Sequence, residues 1–178
     1  MKEVQINNSK LQLVIGDITK QDTDALVNAA NKKLAPGGGV AGAIHSAAGL
    51  KLWEECAKLG GCETGQAKIS GAYNLPNQYV IHTVGPVYSG SAKDPMFLRS
   101  CYTNSLGLAD QRGITSIAFP ALSTGIFGYP VEEAAQVALE SIRDYLLKST
   151  KIGLVRMVLY DEASYNVHML VLRQLGLG

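Results

Sequence analysis

Apolar residues along this chain fall into two alternating rhythms. Short β-rich runs predict strands at Leu11 to Ile15, Ala25 to Val27, Ala67 to Ser70, Tyr79 to Val84, Ser116 to Phe119 and Val155 to Tyr160. Between them, helical spacing predicts helices at Val40 to Ala48, Leu52 to Leu59, Pro95 to Arg112, Val131 to Leu147 and Glu162 to Leu175. In the fourth helix, Val131, Ala134, Ala135, Ala138, Ile142, Tyr145 and Leu146 recur as one buried face. Strands alternating with helices predict a largely parallel sheet covered on both sides, an α/β/α layered domain. No internal repeat, linker or low-complexity segment interrupts the pattern, so one domain over residues 1–178 is expected.

Composition narrows the possibilities. With 47% apolar and 17% charged residues, the 178-residue chain is an ordinary globular one with enough length for a core. A net charge of +1 leaves no electrostatic footprint for a nucleic-acid backbone. The opening Met1-Lys-Glu-Val-Gln has no apolar signal core, and no run approaches membrane-spanning length, so no membrane partner is expected. Cys56, Cys62 and Cys101 are odd in number and not spaced as CxxC. They read as reduced thiols in a cytoplasmic protein, without the ligand spacing of a zinc site.

In open parallel sheets, ligands bind outside the carboxyl ends of the strands. Four loops of interest fall there: Gly16-Asp17, Asn28 to Gly42, Ser123 to Gly128 and Tyr160-Asp161. Gly37-Gly38-Gly39 allows successive N–H groups to point at one anion, with the positive end of the next helix behind them; a flexible turn is the plainer account. Gly37, Gly39 and Gly42 also fit GxGxxG, but Pro36 stands where a strand should feed in, and no strand-ending acid follows about twenty residues on. Ser123 to Gly128 lies between a strand and a helix and can clamp a second phosphate; it lacks the lysine of a P-loop. Two phosphate-shaped loops suggest a diphosphate.

The side chains around these loops each carry two readings. Asp17 can accept from an exocyclic amine, favouring adenine, or cap a turn at Ile18-Thr19. Asn31 can bond ribose hydroxyls as donor and acceptor, whereas Asn28 suits the role of holding the loop's backbone. Phe127 can pack on a sugar face or fold back onto the core. Tyr160 can lie under a base or be a core aromatic. His82 reads as a core residue and His168 as a surface one. His45 alone lies near the proposed site, and adjacent Ser46 diverges from it by about 100° on a helix, against a nucleophile pair.

Together, Gly16-Asp17-Ile18-Thr19, Asn28-Ala-Ala-Asn31, Gly37-Gly-Gly-Val40, Ile44-His45, Tyr79-Val-Ile-His82-Thr-Val-Gly-Pro86 and Phe119-Pro-Ala-Leu-Ser-Thr-Gly-Ile-Phe-Gly128 resemble the macro domain, a family that binds ADP-ribose. His82-Thr-Val-Gly-Pro-Val-Tyr88 and Ser100-Cys-Tyr102 are most similar to its MacroD-type branch. The resemblance implies a three-layer α/β/α sandwich around a mixed, mostly parallel sheet of about six strands. It implies Asp17 on the adenine amine with Ile18 beside it, and Tyr160 against the ring. Gly37, Gly38, Gly39 and Val40 would enclose the diphosphate together with Ser123, Thr124, Gly125, Ile126 and Phe127. Asn31 and Phe127 would hold the distal ribose. Expected partners are ADP-ribose or O-acetyl-ADP-ribose and mono-ADP-ribosylated proteins, with no cofactor or metal and a monomeric state.

Many relatives of this kind hydrolyse the bond between the distal ribose and an acyl group. MacroD-type members carry an aspartate directly after Gly-Gly-Gly-Val, and this chain has Ala41 there. Loss of a general base costs about 10²–10⁴-fold. Other macro domains, viral ones included, also read Gly-Gly-Gly-Val-Ala and hydrolyse, through a water held by the substrate's own phosphate. The resemblance thus implies an ester hydrolase of reduced rate, with Asn31 orienting the ribose and Gly38 and Phe127 shaping the pocket. A non-catalytic ADP-ribose reader is the alternative. A reshaped scaffold of unrelated activity is a third, because Ser46 stands where relatives often have arginine.

Overall fold

The computed structural model describes residues 1–178. Seven strands form one sheet: β1 (Lys2–Ile6), β2 (Ser9–Ile15), β3 (Ala25–Ala29), β4 (Ala67–Gly71), β5 (Tyr79–Thr83), β6 (Ser116–Phe119) and β7 (Leu154–Leu159). Five helices cover it: α1 (Gly39–Ala48), α2 (Leu50–Ala57), α3 (Lys93–Gln111), α4 (Val131–Leu146) and α5 (Glu162–Gln174). A 3-10 turn spans Ile18–Lys20. The strand order is β1-β2-β7-β6-β3-β5-β4. The five central strands run parallel, and the edge strands β1 and β4 are antiparallel to their neighbours.

Each central strand is apolar on both faces because each face meets helices. In β6, Ile117 and Phe119 point into the larger core beneath α3, α4 and α5, while Ala118 points into the smaller core with Ile44, Ala48, Leu52 and Cys56 of α1 and α2. Val27 and Leu26 of β3 divide the same way, as do Ile81 and Val80 of β5. This period-two split of continuous apolar runs is what a doubly covered parallel sheet requires. No helix is long and apolar enough to cross a membrane.

The sheet has seven strands where about six were expected. The addition is β1, whose Lys-Glu-Val-Gln-Ile alternates exposed and partly covered positions in a hairpin with β2. Its turn is Asn7-Asn8, with Asn7 at φ 54. Asparagine tolerates that left-handed conformation, which tight hairpin turns need. His168 is also buried rather than at the surface. It lies on the α5 face that carries Val171 and Leu172 inward, with Nδ1 2.8 Å from the Ser164 carbonyl.

Candidate functional site

The parallel strands bring five loops to one rim in the order β2, β7, β6, β3, β5. Four gaps of about 4.8 Å spread these loops over about 19 Å. Asp17 follows β2 at one end, and Val84 to Tyr88 follow β5 at the other. After β6 the chain crosses through α4 to β7; after β3 it crosses through α1 and α2 toward β4 and β5 on the other side. The gap between β6 and β3 is therefore the topological switch point, where such sheets take ligands. The glycine loop follows β3 and the Ser123 loop follows β6, so the two loops are neighbours there. Because β3 leads to an antiparallel edge strand rather than an adjacent parallel one, the GxGxxG match is not a Rossmann unit.

Within the first loop, Asn31 does the structural work. Its Nδ2 donates to the Ala35 carbonyl at 2.8 Å, and its Oδ1 accepts from the N–H groups of Lys33 and Ala35 at 3.1 and 3.0 Å. The side-chain oxygen is thereby used, leaving one N–H of the amide to donate outward. Asn31 thus holds the loop in place of Asn28, whose Nδ2 instead lies 3.1 Å from His82 Nδ1. The N–H groups of Gly37, Gly38, Gly39, Val40 and Ala41 find no acceptor in the protein, and no side chain caps α1. Gly42 donates to Gly38 at 3.2 Å, and a Cβ on it would strike the Gly37 carbonyl oxygen.

The second loop is set by backbone. Ser123 sits at φ 67, its carbonyl accepts from Tyr129 N–H at 2.9 Å, and Gly128 N–H closes onto Gly125 at 3.0 Å. Tyr88 N–H donates to the Phe127 carbonyl at 2.8 Å, tying the loop to the segment after β5. The N–H groups of Ser123, Thr124, Gly125, Ile126 and Phe127 are without acceptors in the protein. Gly37, Gly38, Gly39, Gly125 and Ile126 are exposed, so each run includes residues open to solvent, while Ala41 and Ser123 at their ends are buried. Gly85 makes a close approach that sequence reasoning missed: a Cβ there would run into the Ser123 hydroxyl. The contact joins segments far apart in sequence, and only the Gly-Pro pair hints at it.

At the β2 end, Asp17 caps the 3-10 turn through Oδ1, which accepts from Thr19 N–H at 2.9 Å and the Thr19 hydroxyl at 2.7 Å. Those bonds, the hydroxyl first, lower its pKa and keep it a carboxylate, while Oδ2 is left to accept from elsewhere. Ile18 beside it is buried. Tyr160 is not a core aromatic: at 92% exposure it stands on the rim between Asp17 and the second loop, and Ile126 is 89% exposed. Large apolar side chains left so open at a sheet's ligand edge offer flat contact area. Phe127 is partly covered and joins neither core.

Behind the rim, Cys56 Sγ lies 3.5 Å from His82 Nε2, and Asn28 flanks the other ring nitrogen. A thiol, an imidazole and an amide in a row suggest a nucleophile. Burial rules it out: it pushes the Cys56 thiol up to about 11 and, with nearby His45, His82 down to about 3. Near neutral pH the thiol keeps its proton, and the imidazole, though unprotonated, is too weak a base to remove it. Ser70 Oγ, 2.8 Å from Nε2, completes the packing of a neutral imidazole. His45 is buried with both ring nitrogens unpartnered and its pKa lowered by that burial, while Ser46 is exposed, so the two do not pair. Ala41 is buried in the first turn of α1.

Comparison with known proteins gives a consistent picture. The Macro domain family model matches residues 27–138. The chain is 49% identical over 173 residues to the ADP-ribose glycohydrolase MACROD2 of Xenopus laevis, covering 94% of this chain and 41% of that protein. It thus spans less than half the length of that curated relative. The fold matches the Oceanobacillus iheyensis macrodomain with ADP at a TM-score of 0.95 and 40% identity, covering 98% of this chain and 95% of the other. It matches the Trypanosoma brucei macrodomain in complex with ADP-ribose at 0.85 and 40% identity, covering 89% and 67%.

Proposed function

This chain belongs to the macro domain family, and on that premise we propose that it binds ADP-ribose along the carboxyl rim of its parallel strands and hydrolyses esters of the distal ribose. The observation that carries the reading is the pair of unpartnered N–H runs, residues 37–41 and 123–127, on adjacent strands at the switch point. Such donors are already oriented and suit a pyrophosphate without a cationic side chain. The free Oδ2 of Asp17 takes the adenine amine with Ile18 beside it, and Tyr160 lies against the purine. Gly37 to Val40 and Ser123 to Phe127 enclose the diphosphate. The distal ribose falls to Asn31 and Phe127, toward β5.

In the hydrolysis, water adds across the ester; one fragment leaves as a carboxylic acid and the other as a ribose hydroxyl. Ala41 offers no side chain to take the water's proton, so the water is held by the ligand's own phosphate. Asn31, through its remaining N–H, orients the ribose, while Gly38 and Phe127 shape the space. Positioning and electrostatics alone support a modest rate. The substrates are mono-ADP-ribosylated acidic side chains and O-acetyl-ADP-ribose. Three free, buried cysteines suit a cytoplasmic protein.

Ala41 favours a second reading, a reader that binds and does not turn over. Calorimetry with ADP-ribose beside AMP and NAD tests the site; a preference for NAD would overturn it. Incubation with mono-ADP-ribosylated protein and O-acetyl-ADP-ribose separates hydrolase from reader, since a reader leaves both intact. Ala41→Asp should raise the ester hydrolysis rate by about tenfold or more. An unchanged rate would mean that the water is handled elsewhere.

A further inference from the structure

A cavity of about 520 Å³ opens where the rim ends beyond β5, lined by Lys32, Glu63, Thr64, Pro86, Val87, Asp94 and Phe97. It continues the ligand rim directly. Lys32 follows Asn31, and its carbonyl accepts from Cys62 N–H at 2.8 Å. Thr64 bridges to Val84 at the end of β5, and Tyr88, next to Val87, is bonded to Phe127. The groove therefore lies beside the two residues assigned to the distal ribose, reaching Asn31 through its chain neighbour Lys32 and Phe127 through the Tyr88 bond.

We infer that this groove receives the polypeptide flanking an ADP-ribosylated residue, with an apolar side chain near the modified one seated between Val87 and Phe97. The inference rests on the reading of the rim as an ADP-ribose site. There, the acyl group hangs from the distal ribose, so the substrate's main chain leaves the rim at the β5 end. Val87 and Phe97 are 63% and 39% exposed, large apolar surfaces left open beside a polar rim. The charges present do not suit a further phosphate. Lys32 lies 3.7 Å from Glu63, and the Asp94 carboxylate is spent on the N–H groups of Ser89 and Gly90, both at 2.9 Å. The volume falls in the range of ordinary ligand pockets, with room for several side chains but not for a folded domain.

The test uses free ADP-ribose and a decapeptide carrying ADP-ribose through a hydrolysis-resistant link, with leucine two residues away. Wild-type protein should bind the conjugate about tenfold more tightly than free ADP-ribose. Val87→Asp, and separately Phe97→Ser, should erase that advantage while free ADP-ribose affinity stays within about twofold. A conjugate with serine for leucine should lose most of it as well. Equal affinity for conjugate and free ligand, or an advantage that survives both variants, overturns the groove and leaves the ADP-ribose site standing. An advantage seen instead with a dimer of ADP-ribose, and lost in Val87→Asp, overturns it in favour of a polymer. No affinity of the wild type for free ADP-ribose fells the parent reading itself.

Discussion

The glycine loop after β3 and the Ser123 loop after β6 keep their N–H groups free by different means. The first is held by a side chain: Asn31 folds over its own loop and satisfies Lys33 and Ala35. The second is held by main chain, through the left-handed Ser123 and bonds from Tyr88 and Tyr129. The strand leading into the first loop carries a buried polar pair, Asn28 against His82 of β5, whereas the segment leading into the second carries the buried apolar Leu122. The same run of unpartnered N–H groups has thus been reached by two local solutions, and they should fail differently.

Gly42→Ala should separate the loops most sharply. The added methyl meets the Gly37 carbonyl, a backbone atom that cannot swing aside. ADP-ribose affinity should fall by about a hundredfold, the cost of overpacking a rigid contact. Were helix propensity all that mattered, the same change would stabilise by about 1 kcal/mol. A higher melting temperature with intact affinity would therefore contradict the contact.

Acid should come next and act on the β3–β5 pair, through His82 and its partner Asn28. His82 has a folded pKa lowered to about 3 by burial, against about 6.5 in an unfolded chain. The unfolded state binds the extra proton between those values, so stability is full above about pH 6.5 and falls as pH drops toward 3. At pH 5 the loss is about 2 kcal/mol from this group, and buried His45 and His168 shift in the same direction. Chemical denaturation between pH 7 and 5 measures it; His82→Gln should flatten the slope.

Asn31→Ala removes the three bonds that shape the first loop and should weaken ADP-ribose binding by about tenfold, with a larger loss in any hydrolysis rate. An unchanged rate would dismiss its catalytic role even if binding weakened. Gly85→Ala should do least. Its methyl meets the Ser123 hydroxyl, which can rotate, so about a threefold loss is expected. A loss as large as that of Gly42→Ala would show the second loop to be the more brittle.

Much of this architecture was legible because apolar periodicity is a local signal. All five helices and strands β2 to β7 fall within a few residues of their expected positions. Strand β1 escaped because an edge strand of alternating Lys, Glu and Gln buries little; Asn7-Asn8 was its only marker. The loop residues were legible as chemistry, since glycine runs and amides advertise themselves. What they do to one another was not. The role of Asn31 depends on how its loop curls, the burial of His168 on which face of α5 meets the sheet, and the tight fit at Gly85 on a contact across β3. Those are tertiary facts that no window of sequence contains.

The uncapped first turn of α1 has an evolutionary consequence. Main-chain amides are present whatever side chains surround them, so the anion grip proposed there would survive most replacements. A chemical step leaning on one side chain of that turn would not. On the proposed reading, retention of ligand and loss of turnover would be a single codon apart, and so would the return.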